Sequence, residues 1–220
     1  MAHLDAPAEV IRANLEQARD RIRAASERSG RDPAAVRVCV AGKYVAPESM
    51  ETLAAAGVRI VGENKLQDLA RKQELYGDLF EWHFIGAVQS RKVPEIASRV
   101  NLIHSVCTES AATRLAALSQ VPDVLVQVNV SNEPSKQGVA PADLAAFIEL
   151  LPRAPLGLMT MPPPVADPER VRTHFRTLSE LAADHGLAEL SMGTSQDYEV
   201  AVEEGATIVR LGHTLFEPSA

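Results

Sequence analysis

The chain has 220 residues, 46% of them hydrophobic and 23% charged, the balance of a folded globular protein with one large core and little length for a second. A formal net charge of −7 argues against the clustered cationic surface that a phosphate backbone requires, so a small molecule and not nucleic acid is the expected partner. No apolar run is long enough to span a bilayer and the N-terminus lacks the basic-then-apolar order of a leader, which makes the cytoplasm the expected location. The two cysteines, Cys39 and Cys107, form neither a disulfide framework nor a zinc set, and both are expected reduced and buried, with no metal site.

Residues 7 to 28 place Ile11, Leu15, Ala18 and Ile22 at helical spacing with Arg and Glu on the other side, and Ser29 with Gly30 closes the pattern. This predicts a solvated leading helix. From Val36 onward short apolar runs alternate with helical patterns. Strands are predicted at 36–42, 58–61, 82–86, 101–104, 124–130, 156–160, 189–192 and 206–211, and helices at 47–56, 64–76, 89–98, 109–119, 141–151, 168–185 and 196–204. Pro141 and Asp167-Pro168 supply start signals for two of these helices. Eight such units after a leading helix match an α/β fold of the (β/α)8 TIM barrel type, whereas a doubly wound sheet usually has fewer strands. A single domain over 1–220 is expected, with the leading helix at 7–30 and the barrel at 36–217.

Barrels of this kind build their sites from the loops that follow the strands. Lys43 follows the first strand, on a loop opened by Gly42. A lysine there is either a surface charge or a Schiff-base amine, made nucleophilic by desolvation or a neighbouring cation. Gly62, Glu63 and Asn64 follow the second strand, and Glu81, Trp82, His83, Gly86, Gln89 and Ser90 lie in and after the third, all expected at the same rim. Asn129, Ser131, Ser135 and Lys136 follow the fifth. Gly193-Thr194-Ser195 and Gly212-His213 follow the seventh and eighth, where phosphate sites are common because glycine admits the anion and backbone N–H groups and hydroxyls donate to it.

Closure would set strand one beside strand eight, and so bring Lys43 near Arg210 and Gly212. An amine beside a phosphate cradle fits a ligand carrying both an aldehyde and a phosphate. Pyridoxal 5'-phosphate is the chief example, with a phosphosugar held as a Schiff base as the other. Arg210 either pairs with a rim carboxylate or faces the pyridine nitrogen, where its permanent charge would keep that nitrogen unprotonated.

The segments VAGKY (40–44), GENKLQD (62–68), EWHFIGAVQSRK (81–92), VLVQVNVSNEPSKQG (124–138), GLMTM (157–161), LSMGTSQDYEVAVEEG (190–205) and VRLGHTLF (209–216) occur in this order. With them the chain resembles the pyridoxal phosphate homeostasis protein family over nearly its whole length. The resemblance implies a barrel like the N-terminal domain of alanine racemase that carries pyridoxal phosphate as an internal aldimine on Lys43. It implies that Arg210 faces the ring nitrogen, that Ser195 with the backbone of Gly212 and His213 holds the phosphate, and that Asn64 lines the ring side. It further implies a role in intracellular cofactor homeostasis without turnover, apo-enzymes as recipients, and a monomer.

Family members often carry Ser at the position of Gly42, Pro at Ala87, Met at Thr194 and Thr at His213. The last replaces a phosphate-binding hydroxyl by an imidazole, for which Thr194 is a candidate substitute. Two alternatives compete. A pyridoxal-phosphate racemase or decarboxylase would need a second domain, where this chain ends at Ala220, and a second base, for which His83 is the candidate. A cofactor-free phosphosugar enzyme would need Glu63 or Glu81 as base. Lys65, Lys72, Lys92 and Lys136 are candidates for a second, weaker attachment point, Lys65 and Lys136 being nearest the expected rim.

Overall fold

The computed structural model describes residues 4, 6–131, 133 and 136–217; Ser135, one of the polar residues assigned to the loop after the fifth strand, lies outside them. Eight parallel strands close into a barrel in sequence order: β1 Arg37–Ala41, β2 Ile60–Glu63, β3 Glu81–Phe84, β4 Leu102–Val106, β5 Asp123–Gln127, β6 Gly157–Met159, β7 Glu189–Thr194 and β8 Ile208–Leu211. The closing pair sets Cys39 opposite Arg210 and Val40 opposite Leu211. Period-two alternation sorts the strand residues into two layers. Cys39, Ile60, Leu102, Leu125, Met159 and Ile208 meet inside the barrel. Their neighbours, among them Val40, Val61, Phe84, Ile103, Val126, Leu158 and Val209, pack outward beneath the helices.

The helices are α1 Ala8–Arg28, α2 Met50–Ala55, α3 Leu66–Tyr76, α4 Val93–Ala97, α5 Glu109–Ala116, α6 Leu144–Glu149, α7 Arg172–Asp184 and α8 Tyr198–Glu203. Where the sequence predicts single helices from Pro47, Pro141 and Pro168, each proline instead opens a 3-10 turn, and the α-helix starts three or four residues later. Proline fixes φ for a first turn of either kind and donates no N–H, so the sequence signal marks the start without fixing the helix type. Strand two lies at 60–63, not 58–61, because Gly62 and Glu63 continue the pairing against His83 and Phe84. Among the described residues no helix is long and apolar enough to cross a membrane.

The leading helix α1 buries Ile11, Leu15, Ala18, Ile22 and Ala25, as its spacing predicts. It also ties down the chain beyond β8. Asn14 Nδ2 donates to the carbonyls of Leu215 (3.1 Å) and Glu217 (2.7 Å), and Arg31 donates to the carbonyls of Val202, Gly205 and Ala206 at the end of α8. These bonds supply donors to carbonyls that a helix end leaves unpaired.

A buried ion pair fixes the first strand-to-helix loop. Lys72, on α3 and only 1% exposed, donates from Nζ to Glu63 Oε1 at 2.5 Å and to the carbonyl of Gly42 at 2.7 Å. Burial pushes the Glu63 carboxyl up from its ordinary value, and the Lys72 ammonium opposes that rise. The amine is committed to these partners, which removes Lys72 from the candidate attachment lysines. Gly42 answers to the same pair, since a Cβ there would run into Glu63 Oε1. Lys72→Met strands a buried carboxylate and is expected to cost about 3–5 kcal/mol of stability, whereas a Glu63→Leu, Lys72→Met double variant recovers most of it. Denaturant midpoints of the two variants check this.

Candidate functional site

Lys43 sits one residue past the end of the sequence-predicted strand, inside a 3-10 turn at Gly42–Tyr44 that follows β1. The turn is held from below by Lys72 and from the side by the ring of Tyr44, whose centroid lies 4.9 Å from Lys43 Nζ. Tyr44 in turn tilts against two rings, with centroids 6.4 Å away for His213 and 6.0 Å for Phe216. The first and last strand ends are thus joined by aromatic packing as well as by backbone pairing. Gly212 permits that packing, because a Cβ on it would come within 2.6 Å of Tyr44 Cε2.

Lys43, Asn64, Ser195, Arg210, Gly212 and His213 all line one cavity of about 440 Å³ at the C-terminal rim of the barrel. Arg210 is 7% exposed and projects inward from β8. Its Nη1 donates to the carbonyl of Ser191 at 2.8 Å and to Ser191 Oγ at 2.5 Å, and its Nη2 to the carbonyl of Thr160 at 2.9 Å. Among the described residues it pairs with no carboxylate, so the rim ion pair that the sequence left open is not formed. Three of its five N–H donors are engaged, which leaves two in a side chain that lines the cavity. Burial lowers its pKa from the ordinary arginine value, yet arginine remains a cation. The same burial pushes the Cys39 thiol opposite it up to about 12.

The far wall of the cavity is the loop after β7 and the turn after β8. Ser195 Oγ accepts from the backbone N–H of Gly212 at 3.1 Å and from Thr214 Oγ1 at 3.0 Å. The helix expected to open at 196 begins only at Tyr198. Asp197 accepts there from the backbone N–H of Thr194 (2.6 Å) and from its hydroxyl (3.0 Å). Thr194 therefore spends its hydroxyl proton on Asp197, and as a substitute for a phosphate-binding threonine it is already occupied. Asn64 brings a buried side-chain oxygen, Oδ1, that has no hydrogen-bond partner among the described residues. A buried amide group without a partner is costly unless a ligand group meets it.

Several residues line the cavity that the sequence did not single out: Tyr44, Gln127, Gln137 and Gln196 as polar groups, and Ile85, Met159 and Met161 as apolar ones. Gln127, Met159 and Ile85 continue the inward-facing alternation of their strands, so extending the period-two pattern to each strand end would have found them. Other candidates fall elsewhere. His83 is fully buried and bonds to Glu81 and His104, the core histidine satisfied by neighbours, and it does not line the cavity. Asn129 and Ser131 organise the loop after β5 through Asn129 Nδ2 to Glu133 O (2.9 Å) and Ser131 Oγ to Asn129 Oδ1 (3.0 Å). Glu81 starts β3 at the opposite end of the barrel, and Glu63 is held by Lys72. Among the described residues no group of His, Cys, Asp and Glu could hold a metal ion. Cys39 is buried, Cys107 half-buried, and both are free.

The arrangement is a basic pocket in an acidic protein. Its lining includes Lys43, Arg210 and His213, hydroxyl and amide donors, an apolar patch, and, among the described residues, no Asp or Glu. It can bind an anionic group at one end, stack a flat ring on apolar side chains, and present an amine.

No protein-family model matches the chain. A curated relative from Aquifex aeolicus, named pyridoxal phosphate homeostasis protein, is 41% identical over 217 residues, covering 92% of this chain and 95% of that protein. The solved structure of PipY of Synechococcus elongatus with pyridoxal phosphate bound superposes with a TM-score of 0.76 at 28% identity, covering 94% of this chain and 100% of that one. Alanine racemase of Corynebacterium glutamicum shares the fold at 16% identity, with a TM-score of 0.70 over 100% of this chain and 65% of that one. Barrel architecture, motif order and near full-length identity agree, and the chain belongs to the pyridoxal phosphate homeostasis protein family.

Proposed function

We propose that the rim cavity holds pyridoxal 5'-phosphate attached at Lys43, and that the protein carries this cofactor in intracellular pyridoxal phosphate homeostasis without turning over a substrate. The observation that carries the reading is the union, in one cavity lined by no Asp or Glu among the described residues, of an amine, a buried guanidinium and a hydroxyl-and-backbone anion cradle. Bound there, pyridoxal phosphate supplies an aldehyde for a lysine amine and a ring that can draw electrons. Each chemical requirement of the group has a counterpart among the residues present. The Ser195 hydroxyl and the backbone N–H groups of Gly212 and His213 would hold the phosphate, the Gly212 N–H turning to it from Ser195 Oγ, with the His213 ring beside them. Asn64 Oδ1 would accept from a donor on the ring's edge. Arg210 would face the ring nitrogen, and because it does not give up its proton it would keep that nitrogen unprotonated.

An arginine at that nitrogen weakens the ring as an electron sink, which favours holding the cofactor over reacting with it. The phosphosugar alternative lacks its base, since Glu63 is locked to Lys72 and Glu81 stands at the other mouth. The racemase or decarboxylase alternative loses its candidate second base, since His83 is committed inside the barrel. The same reading takes residues 7–30 and 36–217 as leading helix and barrel of one domain, a monomer in the cytoplasm that gives its cofactor to apo-enzymes. Lys65, Lys92 and Lys136 remain the lysines for a second, weaker attachment.

The first test is the absorption spectrum of the protein with pyridoxal phosphate, then borohydride reduction and peptide mapping. A visible band with the reduced adduct on Lys43, both lost in Lys43→Ala at unchanged melting temperature, is the expected result. A colourless protein, or an adduct on another lysine, overturns the assignment. Gly212→Ala sets a methyl against Tyr44 between the anion cradle and the amine, and is expected to weaken cofactor binding by about tenfold while the adduct stays on Lys43. A fluorescence titration measures it.

A further inference from the structure

Among the described residues, a continuous polar thread runs through the apolar interior of the barrel. It starts at the rim with Arg210 and passes to Ser191 Oγ (2.5 Å), to His104 Nδ1 (2.8 Å), from His104 Nε2 to His83 Nδ1 (2.9 Å), and from His83 Nε2 to Glu81 Oε1 (2.8 Å). Glu81 belongs to the opposite mouth, where Arg37 lies 3.9 Å away and itself pairs with Glu189 at 2.9 Å. His83, His104 and Ser191 are all 0% exposed. The thread crosses from β8 to β7, β4 and β3. Irregular pairing occurs where it turns, between Ile103 and Val106 on β4 and between Ser191 and Thr194 on β7. Irregularities of this kind re-aim inward side chains.

The Glu81 end of the thread dictates its proton arrangement. Arg210 can only donate, and an ionised Glu81 can only accept. Neutral His83 is therefore protonated on Nε2, donates to Glu81 and accepts on Nδ1 from His104. Neutral His104 is then protonated on Nε2 and accepts on Nδ1 from Ser191 Oγ, which itself accepts from Arg210. The Arg210 end is compatible with these two tautomers, since the serine hydroxyl can accept from the guanidinium while it donates to the imidazole. Every donor in the thread has an acceptor, and each bond polarises the next.

We propose that Ser191, His104 and His83 are positioning residues that lock Arg210 at the cofactor end of the barrel, and that they tie its hydrogen-bonding state to protonation at the opposite mouth. This rests on the reading of the rim cavity as a pyridoxal phosphate site. A proton added to His83 makes both its ring nitrogens donors, so His104 must turn its Nε2 into an acceptor and direct an N–H at Ser191 Oγ. That oxygen then receives donors from both sides and the grip on Arg210 changes. The groups facing the pair are Glu81 on β3, Arg37 on β1, Glu189 on β7 and Arg210 on β8, with Cys39 of β1 and Asp197 acting through Arg210. Burial, first among the causes, lowers both imidazoles below the ordinary 6.5, so the thread is intact at neutral pH. A depressed folded-state value means the unfolded chain takes up protons first. Stability is therefore fully present above the unfolded value of 6.5 and is lost as pH falls from there through the depressed folded-state values, where the thread itself takes up protons.

The test combines three variants with a cofactor-independent measurement. In the full-length protein, 15N spectra at neutral pH are expected to show His83 and His104 as neutral Nε2–H tautomers, with or without pyridoxal phosphate; any other tautomer in either overturns the thread. Pyridoxal phosphate affinity and the position of its visible band are then followed from neutral pH into the acid range. His104→Leu and Ser191→Ala each cut the thread and are expected to weaken binding about tenfold and shift the band, with the adduct still on Lys43. His104→Gln can accept from Ser191 and donate to His83 without titrating, so it is expected to keep neutral affinity and lose much of the acid limb. Melting temperatures lowered in all three variants with affinity, band and pH profile unchanged would mean the thread serves only the core, and the proposal fails. If the unaltered protein takes up no pyridoxal phosphate, the cavity assignment has failed, and the tautomers still decide the thread.

Discussion

Everything at the rim follows from the pairing of β1 with β8. Without closure, Lys43 and Gly212 would stand at opposite edges of an open sheet. With it, a turn after residue 41 and a turn after residue 211 share one wall, and Tyr44 packs on Gly212 and His213 to seal the seam. Parallel strands demand crossover helices, and those helices in turn cover the outward layer of Val, Ile and Leu that pays for the closure. The leading helix completes the arrangement by bonding the chain just past the seam through Asn14.

Two buried cations sit in this framework under different rules. Lys72 and Glu63 neutralise each other in the layer between barrel and helix, and the pair spends one donor on the backbone beside Lys43. Among the described residues, Arg210 has no acidic partner at bonding distance. It is satisfied by carbonyls and by a hydroxyl that leads into a chain of neutral imidazoles. The first solution immobilises a loop. The second leaves a cation with donors to spare beside a cavity that, among the described residues, has no acid in its lining.

Much of this was legible in the sequence because it depends on period and spacing. The eight units, the leading helix, and the collection of Lys43, Asn64, Ser195, Arg210, Gly212 and His213 at one rim all follow from alternation and from where loops must fall. What escaped depends on side-chain partners brought together by closure. Lys72 looks like any lysine on an amphipathic helix until Glu63 and Gly42 are seen beneath it. His104 reads as an interruption of an apolar strand, and its meaning appears only when Ser191 and His83 flank it from two other strands. The small shifts at helix starts have a simpler origin, since proline admits a 3-10 turn as readily as an α-turn.

The filled interior has one more consequence. Ile60, Leu125 and Ile208 are buried and packed together across the barrel, with His83 and His104 buried beside them. The cavity stands on the rim side of that filled layer. A molecule docked over the rim would therefore cover the side on which the cavity lies, so that its presence and the exchange of a ligand through the rim would exclude one another in time.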